Sequence, residues 1–470
     1  GYLALEKKVP LDRIVALTFT DKAATEMEER VDAMLPYGMV DARISTFHSF
    51  GESILGEYAH DLGLPLDLKL MSRAGQIVFL RSHIDALKLH YYAPVSDPGS
   101  YLSSLATYFS RLADECITSE RYKKYIKKIQ QSAKTDGEVL EVARQTELCH
   151  AFEAYKELKK QHGVIDFDDQ VGLAVELLEQ RPNVLDEVRS QIDYILVDEF
   201  QDTNRLQNRL LHLIAGDQGN LMVVGDDDQS IYRFRGAAIE NIQQFTKLYP
   251  SAQTIVLNRN YRSSQPILDT AYRLIQHNNP HRLEASQQVS KYLQSDNEGR
   301  KPQAWVLPTY SLEADAITKD IAARIEAGED AGEIAILIRK KKQAELLFHA
   351  LSKNGVPFQF SDTSSLYEQP EVMPLLYFLQ VCCNPLDSGS LYHLLASPPF
   401  GLELKLLMEA ATAARSTNQT LEDQLRRSDN ETTTDFFKQL DGWRRQSEKL
   451  TAGELLFSFC EDTKLISDLV

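Results

Sequence analysis

The chain has 470 residues, 43% of them hydrophobic and 25% charged, and a formal net charge of −17. This length exceeds what one hydrophobic core supports, and the composition is that of an ordinary soluble globular protein with several domains and no membrane span. The five scattered cysteines form no Cys-x-x-Cys pair, which disfavours a disulfide framework or zinc site and favours a cytoplasmic protein; the acidic balance disfavours a nonspecific nucleic-acid coat.

In chain order, the first predicted element is a strand at residues 14–20, followed by a helix that Asp21 can cap. A second short strand is predicted at 42–46. Residues 52 to about 164 are typical of helices, rich in Leu, Tyr, Lys and Glu. Strand signals separated by helical segments then predict βαβ units and a parallel sheet; they lie at residues 194–197, 221–224 and 254–257.

The second half of the chain predicts a further α/β unit. Residues 281–302 are polar and are expected to form a linker. Strands are predicted at 305–307 and 334–338, and an amphipathic helix at 343–353 that ends near Gly355. From about residue 386 the pattern is helical and polar again.

Two carboxylates, Asp198 and Glu199, directly follow the strand at 194–197. The carboxyl end of a buried parallel strand is where a ligand crevice opens. One carboxylate can hold Mg²⁺, usually through water, while the next polarises an attacking water. A pair of helix-capping acids is the structural alternative.

A second polar cluster follows the strand at 221–224. Gln229 comes after three aspartates, and its amide can touch a terminal phosphate or the attacking water; an Asp-rich turn is the alternative. Tyr232 and Phe234 then alternate with Arg233 and Arg235. Such rings can stack on unpaired bases while the arginines contact phosphates, although core aromatics at a strand edge remain possible.

Tyr261 and Arg262 lie in a third polar segment, Asn258–Ser264, after the strand predicted at 254–257. A tyrosine there can stack on a purine, and its neighbouring arginine can act as a finger on a γ-phosphate. The alternative is a solvated loop arginine.

Together with three further segments, 18–24, 45–49 and 166–169, these clusters resemble the UvrD/Rep/PcrA-type superfamily 1 DNA helicases. The resemblance implies an α/β fold with two RecA-like parallel-sheet domains, both incomplete, and helical insertions. The first RecA-like domain is expected at 1–52 and 165–275, its insertion at 53–164, the second RecA-like domain at 276–385, and the start of a second insertion at 386–470.

The resemblance also implies roles for individual residues. Asp198 is similar to the Mg²⁺-associated carboxylate, Glu199 to the catalytic base, and Tyr261 to the residue that stacks on adenine. Contacts to the γ-phosphate are implied for Gln229, Arg235 and Arg262. Contacts to DNA are implied for Phe19, Thr20, Lys22, Thr46, His48, Tyr232, Phe234 and Arg339, with a packed histidine as the alternative for His48.

The function implied is an ATP- and Mg²⁺-dependent helicase or translocase, expected to move 3′ to 5′ on single-stranded DNA and to unwind forked duplex DNA in repair or replication. The basic run at 121–128 is a candidate duplex contact or a solvated helix face. The chain has no Gly-Lys dipeptide and hence no P-loop pattern, and the late family motifs are missing. It is therefore expected to be an internal fragment that hydrolyses ATP poorly or not at all alone.

Two alternatives remain open. The chain can be the motor part of a RecB/AddA-like helicase–nuclease, which a downstream nuclease domain would reveal. It can also be a non-hydrolysing DNA-binding remnant, against which the presence of Glu199, Gln229 and Arg262 argues.

Overall fold

The computed structural model divides the chain into two compact units, residues 1–303 and 304–470. The structure describes residues 1–35, 42–65, 68–92, 99–216, 219–360, 371–398, 400–417, 419–428 and 431–465, without the side chains of Arg235, Arg415 and Glu431. Among these residues, no helix combines the length and the apolar character that crossing a membrane requires.

The first unit is built around a parallel sheet. Its strands are β1 (Ile14–Thr18), β2 (Arg43–Thr46), β3 (Lys69–Leu70), β4 (Val164–Ile165), β5 (Tyr194–Val197) and β6 (Leu221–Val223). Four of them form one sheet in the order β2-β1-β5-β6, all parallel, while β3 pairs with β4. The register sets Ala16 opposite both Ile44 and Leu196. The predicted strands at 14–20, 42–46, 194–197 and 221–224 are thus confirmed within one or two residues.

The helices of the first unit flank the four-stranded sheet, and several of them form the helical segment between β2 and β5. They span Tyr2–Leu5, Asp21–Met34, Phe47–Tyr58, Arg73–Ser82, Leu102–Asp114, Ser119–Ser132, Asp136–His162, Phe167–Gln180, Pro182–Ser190, Arg205–Ala215, Glu240–Leu248, Gln265–Ile275 and Leu283–Gln287. The helical character predicted from residue 52 to about 164 is confirmed, with β3 and β4 as short additions.

Apolar burial explains why the sheet forms where it does. All five residues of β1 are buried, and Val15 and Leu17 contribute to a core with Val197 and Leu210. A second core inside the insertion contains Phe109, Leu148 and Tyr155. Burying such a side chain contributes roughly 1.5–3 kcal/mol. Apolar burial on this scale therefore stabilises the sheet and the positions of its strand ends.

A buried charge cluster joins the insertion to the first unit's sheet domain. Lys159, on helix Asp136–His162, lies 2.7 Å from Asp166 and 2.5 Å from Asp169. Tyr155 donates its hydroxyl hydrogen to Asp166 at 2.8 Å. Asp166 and Asp169 form the capping box of helix Phe167–Gln180, so the cap and the cation both belong to one network.

The regular secondary structure of the second unit, within its described residues, is helical. Its helices span Tyr310–Glu326, Ala344–Lys353, Met373–Cys383, Ser388–Ala396, Leu404–Thr417, Leu421–Arg426, Glu431–Ser447 and Ala452–Asp462. The helices from Met373 onward share one core, which includes Phe378, Trp443 and Phe459. The helix predicted at 343–353 is confirmed within one residue, and so is the helical pattern beyond 386.

Three predicted strands are absent from the described structure, namely residues 254–257, 305–307 and 334–338. Ile334, Ile336 and Ile338 pack against neighbouring helices while Leu337 is 94% exposed, so their side chains alternate as a strand requires. A strand also needs a hydrogen-bonding neighbour, and no described segment pairs with these three. The prediction was wrong because alternation supplies only half of what a strand needs.

Residues 281–302 are also not the linker that their polarity indicated. They belong to the first unit, include helix Leu283–Gln287, and carry Arg282 and Lys291, which bind the acidic loop after β6. The compact division therefore falls after residue 303, while the domain boundary expected at 275/276 stays a prediction.

Candidate functional site

The candidate site lies along the edge of the sheet where its four parallel strands end. Phe19 and Thr20 follow β1, Thr46 ends β2, Asp198–Glu199 follow β5, and Gly225–Gln229 follow β6 closely. Because these strands are adjacent and parallel, their carboxyl ends share one edge. The fold thus brings the polar clusters predicted after separate strands to the same side of the molecule.

The turn after β5 positions two carboxylates and a buried glutamine. The backbone N–H of Asp198 donates to the carbonyl of Leu17 at 3.0 Å, and the Oδ1 of Asp198 accepts from the N–H of Glu199 at 3.0 Å. Glu199 has a φ of 49°, a left-handed conformation that costs a non-glycine residue on the order of 1–3 kcal/mol. Phe200, completely buried, anchors the turn and leaves the Glu199 side chain exposed.

Gln201 links this turn to the loop after β6. Its Nε2 donates to Oε2 of Glu199 at 2.7 Å, and its Oε1 accepts from the backbone N–H of Asp226 at 2.9 Å. A Cβ on Gly225 would lie 2.7 Å from that same Oε1, so the close approach requires glycine. Gln229 then donates its Nε2 hydrogen to Asp226 at 3.1 Å. Glu199 and Gln229 are therefore connected through Gln201 and Asp226.

Asp202 adds a buried carboxyl beside Glu199. Burial, together with the charge of Glu199, raises the pKa of Asp202 to about 6. Its Oδ1 is buried and has no hydrogen-bond partner among the described residues. The carboxyls of Glu199 and Asp202 therefore differ in environment: that of Glu199 is exposed, and that of Asp202 lies in the protein interior.

The acidic loop Asp226–Asp228 is neutralised by two cations from residues 281–302. Oxygens of the three aspartates lie within 4.8 Å of one another. Lys291 Nζ lies 2.5, 2.5 and 2.9 Å from Asp226, Asp227 and Asp228, and Arg282 makes two 2.6 Å bonds to Asp228. An ammonium thus occupies the position that a metal ion would need, so these aspartates do not fit a Mg²⁺ site.

Three aromatic rings line the same edge. The rings of Phe19 and Tyr232 stack with centroids 5.6 Å apart, and the ring of Tyr232 lies 6.1 Å from that of Phe234. Phe234 is 67% exposed. Phe19 and Tyr232 are half-buried. An exposed ring supported by neighbouring rings can stack on unpaired bases without sequence preference. The side chain of Arg235, an expected γ-phosphate contact, lies outside the described part of the chain.

A cleft of about 410 Å³ borders Phe234. Its charged lining includes Arg111, Arg205 and Arg233 together with Glu115 and Glu240. Arg205 pairs with Glu115 at 3.0 Å. Arg111 lies 3.6 Å from Asp114, so carboxylates compensate much of the positive charge of this lining. The cleft by itself is therefore not a strongly basic surface.

Tyr261 and Arg262 lie in a polar turn held by Asn260. The Oδ1 of Asn260 accepts from the N–H groups of Arg262 at 3.0 Å and Ser263 at 2.7 Å. Tyr261 is 78% exposed, and the guanidinium of Arg259 lies 5.3 Å from its ring centroid. Within the described structure, no hydrogen bond or ion pair joins Tyr261 or Arg262 to Glu199 or Gln229. The turn presents both side chains to solvent.

Two residues expected to contact DNA, Thr20 and Thr46, cap helices. Thr20, rather than Asp21, caps helix Asp21–Met34 by accepting from Ala23 N at 3.2 Å, and Lys22 is exposed on its first turn. Thr46 is only 6% exposed, because its hydroxyl caps helix Phe47–Tyr58. Its side chain therefore faces the protein rather than solvent.

His48 is half-buried, and burial lowers its pKa, which favours the neutral imidazole. Arg339 lies in the second unit; its backbone N–H donates to Gln343 Oε1 at 3.1 Å and its side chain is exposed. Both positions remain predicted DNA contacts.

Two protein-family models match consecutive parts of the chain. Residues 2–250 match the model of the UvrD/REP helicase N-terminal domain, and residues 255–454 match that of the UvrD-like helicase C-terminal domain. The chain therefore belongs to the UvrD/REP helicase family. This assignment confirms the resemblance and the α/β, RecA-like fold class predicted from the motifs.

Curated relatives agree with the family. The chain is 32% identical over 393 residues to the ATP-dependent DNA helicase PcrA of Leuconostoc citreum, covering 83% of this chain and 49% of that protein. It is 30% identical over 413 residues to DNA helicase II of Escherichia coli, covering 87% and 53%. PcrA of Staphylococcus aureus matches at 31% over 435 residues, covering 91% and 55%. The chain spans about half the length of these relatives.

Sequence reasoning missed two parts of the site. Gln201 was given no role, although it bridges the two clusters. Arg282 and Lys291 were placed in a linker. Their signal was charge complementarity with Asp226–Asp228, which lie more than 50 residues earlier and cannot be paired by local patterns.

Proposed function

We propose that this chain is the nucleotide-sensing and strand-gripping part of an ATP-dependent DNA helicase or translocase. The observation that carries the proposal is the hydrogen-bonded path from Glu199 through Gln201 and Asp226 to Gln229, at the same sheet edge as the ring pair Phe19–Tyr232. Such a path can transmit a change at the nucleotide to residues that touch DNA. The relatives' names, which include ATP-dependent DNA helicases, support the same reading.

The nucleotide would be held and hydrolysed by groups at the strand ends. Glu199 is the proposed base, Gln229 and Arg262 the proposed contacts to the γ-phosphate, and Tyr261 the proposed adenine platform. Arg235 is assigned the same phosphate role by its motif. Asp198 fits the Mg²⁺ role because carboxylate oxygen is the ligand that Mg²⁺ prefers, and the bound ion would neutralise charge on the phosphates. Asp226–Asp228 are excluded from that role by Lys291.

DNA would be gripped next to this site. The rings of Phe19, Tyr232 and Phe234 are proposed to stack on bases, while Arg233 and Lys22 contact the backbone. Base stacking is sequence-tolerant, which suits a motor that moves along any single strand. We propose 3′ to 5′ movement and a role in DNA repair or replication, both inherited from the family rather than from any residue.

The proposal is tested by replacing the base in the full-length protein. Glu199→Gln should lower single-strand-stimulated ATP turnover by at least about 100-fold, since a general base contributes roughly 10²–10⁴. Affinity for a fluorescent oligothymidylate, measured by anisotropy, should stay unchanged. Glu28→Gln, an exposed glutamate on helix Asp21–Met34, is the matched control and should leave both quantities unchanged.

The outcomes separate the competing functions. Undiminished turnover in Glu199→Gln would remove the assigned base. Tight single-strand binding without any turnover in the wild-type full-length protein would favour the non-hydrolysing DNA-binding remnant. Strand displacement from 3′-tailed but not 5′-tailed duplexes would support the proposed polarity.

A further inference from the structure

Residues 291–299, which we call the strap, connect two loops of the first unit. One is the sensor loop, residues 225–230, which carries Gln229; the other is the arginine turn, residues 258–264, which carries Tyr261 and Arg262. The two loops are separated in sequence, and among the described residues no hydrogen bond or ion pair joins Gln229 to Arg262. Each end of the strap, however, bonds one of them.

The first end of the strap holds the sensor loop through charge. Lys291 Nζ bonds the carboxylates of all three residues of Asp226–Asp228 at 2.5–2.9 Å, and 16% of its side chain is exposed. Its neighbour in this network, Arg282, is 3% exposed and binds Asp228. Asp226 in turn accepts from Gln229 and, through its N–H, donates to Gln201. Lys291 therefore sets the conformation of the loop from which Gln229 projects.

The far end holds the arginine turn through its backbone. Gln294 donates its N–H to Asn258 O and accepts from Asn260 N, both at 2.8 Å. Asn297 Nδ2 donates to the carbonyl of Tyr261 at 2.9 Å. Asp296 pairs with Arg259 at 2.5 Å. The turn is thus bonded on both sides of Tyr261.

The middle of the strap is fastened to helix Gln265–Ile275, which begins directly after the arginine turn. Tyr292 donates its hydroxyl hydrogen to Asp269 at 2.8 Å, and Ser295 N donates to Gln265 Oε1 at 2.8 Å. A Cβ on Gly299 would lie 2.3 Å from the Oγ of Ser264, so the strap passes against the helix start. These contacts restrict movement of the middle of the strap relative to its two ends.

We propose that the strap is a coupling element, and that Lys291 and Asn297 are positioning residues that keep Gln229 and Arg262 in register with each other. Displacement of the sensor loop moves Lys291, and the strap carries that displacement to the backbone of Tyr261. Coupling of this kind is reciprocal, so a change at the arginine turn is felt at the sensor loop. The functional meaning of this coupling rests on the nucleotide roles proposed above; its physical existence does not.

Hydrogen–deuterium exchange of the 470-residue chain tests the coupling without nucleotide. Lys291→Met should raise exchange at least about tenfold in both the sensor loop and the arginine turn, within the range of about 5–150 expected of coupled sites. Asn297→Ala, a milder change, should raise exchange in the arginine turn and also at Asp226, Asp228 and Gln229. Lys291→Arg should restore most of the protection.

Lys247→Met is the matched control, since Lys247 is an exposed lysine on helix Glu240–Leu248 of the same unit. Exchange that rises only in the loop next to each substitution, with the other loop unchanged, would overturn the coupling. The same conclusion would follow if Lys247→Met changed both loops as Lys291→Met does.

Steady-state kinetics of the full-length protein separate the coupling from the proposed function. If the strap positions catalytic groups, Lys291→Met should lower kcat at least about tenfold, change KM for ATP far less, and be partly rescued by Lys291→Arg. If exchange in the two loops is coupled but the full-length protein does not hydrolyse ATP, the coupling by the strap is supported and the proposed function is rejected. Coupled exchange with an unaltered kcat would reject Lys291 as a positioning residue.

Discussion

Replacing Lys159 with methionine removes the ammonium that lies between Asp166 and Asp169 where the helical insertion meets the first unit's core. The ammonium lies 2.7 and 2.5 Å from the two carboxylates, and the exposed side-chain fractions are 8% for Lys159, 7% for Asp166 and 17% for Asp169. Methionine fills a similar volume but leaves two carboxylates facing each other in the interior. Breaking a buried ion pair by deleting one partner costs about 3–5 kcal/mol.

The pKa shifts of Asp166 and Asp169 predict how the loss of stability in Lys159→Met depends on pH. Burial raises the pKa of Asp166, but the Lys159 ammonium and its hydrogen bonds outweigh burial and hold that pKa below its usual value. For Asp169 burial dominates and raises the pKa to about 6. Without Lys159 both carboxyls should titrate higher than they do now. A carboxyl whose pKa is higher in the folded than in the unfolded state makes folding less favourable as pH rises between the two values. The loss of stability in Lys159→Met should therefore be smaller at pH 5 than at pH 8.

Urea unfolding at pH 8 measures the effect. With an m-value of about 3 kcal/mol/M, a loss of about 3–5 kcal/mol shifts the far-UV circular dichroism midpoint by roughly 1–1.7 M. Both tryptophans, Trp305 and Trp443, lie in the second unit, so their emission gives an internal reference that should move little. Lys160→Met, an exposed neighbour, should change stability by no more than about 0.5 kcal/mol. A Lys159→Met midpoint equal to that of Lys160→Met would refute the buried-cluster reasoning.

Two further predictions concern the sheet edge and its border with the insertion. Burial, with the charge of Asp168, raises the pKa of Asp114 to about 7, so its stability contribution falls as pH rises from about 4 to 7. Asp114→Asn, which can still accept from Asn204, should therefore flatten the fall in urea midpoint between pH 5 and 8; an unchanged slope would contradict this. Phe234→Ala should weaken oligothymidylate binding by about 1–3 kcal/mol, measured by anisotropy. Phe457→Ala, at a similarly exposed phenylalanine, should leave binding unchanged, and equal losses would argue against stacking at Phe234.

The first sheet and its polar strand ends could be predicted from the sequence because their signals are local. An apolar run followed directly by Asp198–Glu199 or by Gly225–Gln229 contains both the strand and the position where it opens to solvent. Parallel pairing then follows from the intervening helices. The strand order β2-β1-β5-β6, which makes those strand ends neighbours, was not predicted.

Contacts between distant segments were decided by the tertiary structure. The role of Gln201 depends on an amide that reaches the loop after the neighbouring strand, and the roles of Lys291 and Arg282 depend on carboxylates more than 50 residues away. None of these partners can be identified from periodicity.

What the sequence by itself determined is therefore the family, the first sheet and the residue types available at its edge, because hydrophobic pattern and motif order are properties of short segments. What only the tertiary structure decided is which side chains meet and which apolar segments pair. Residues 254–257, 305–307 and 334–338 have a strand's composition yet form none in the described structure. The physical reason is that a strand exists only with a hydrogen-bonded neighbour, and that neighbour is supplied by the fold rather than by the segment.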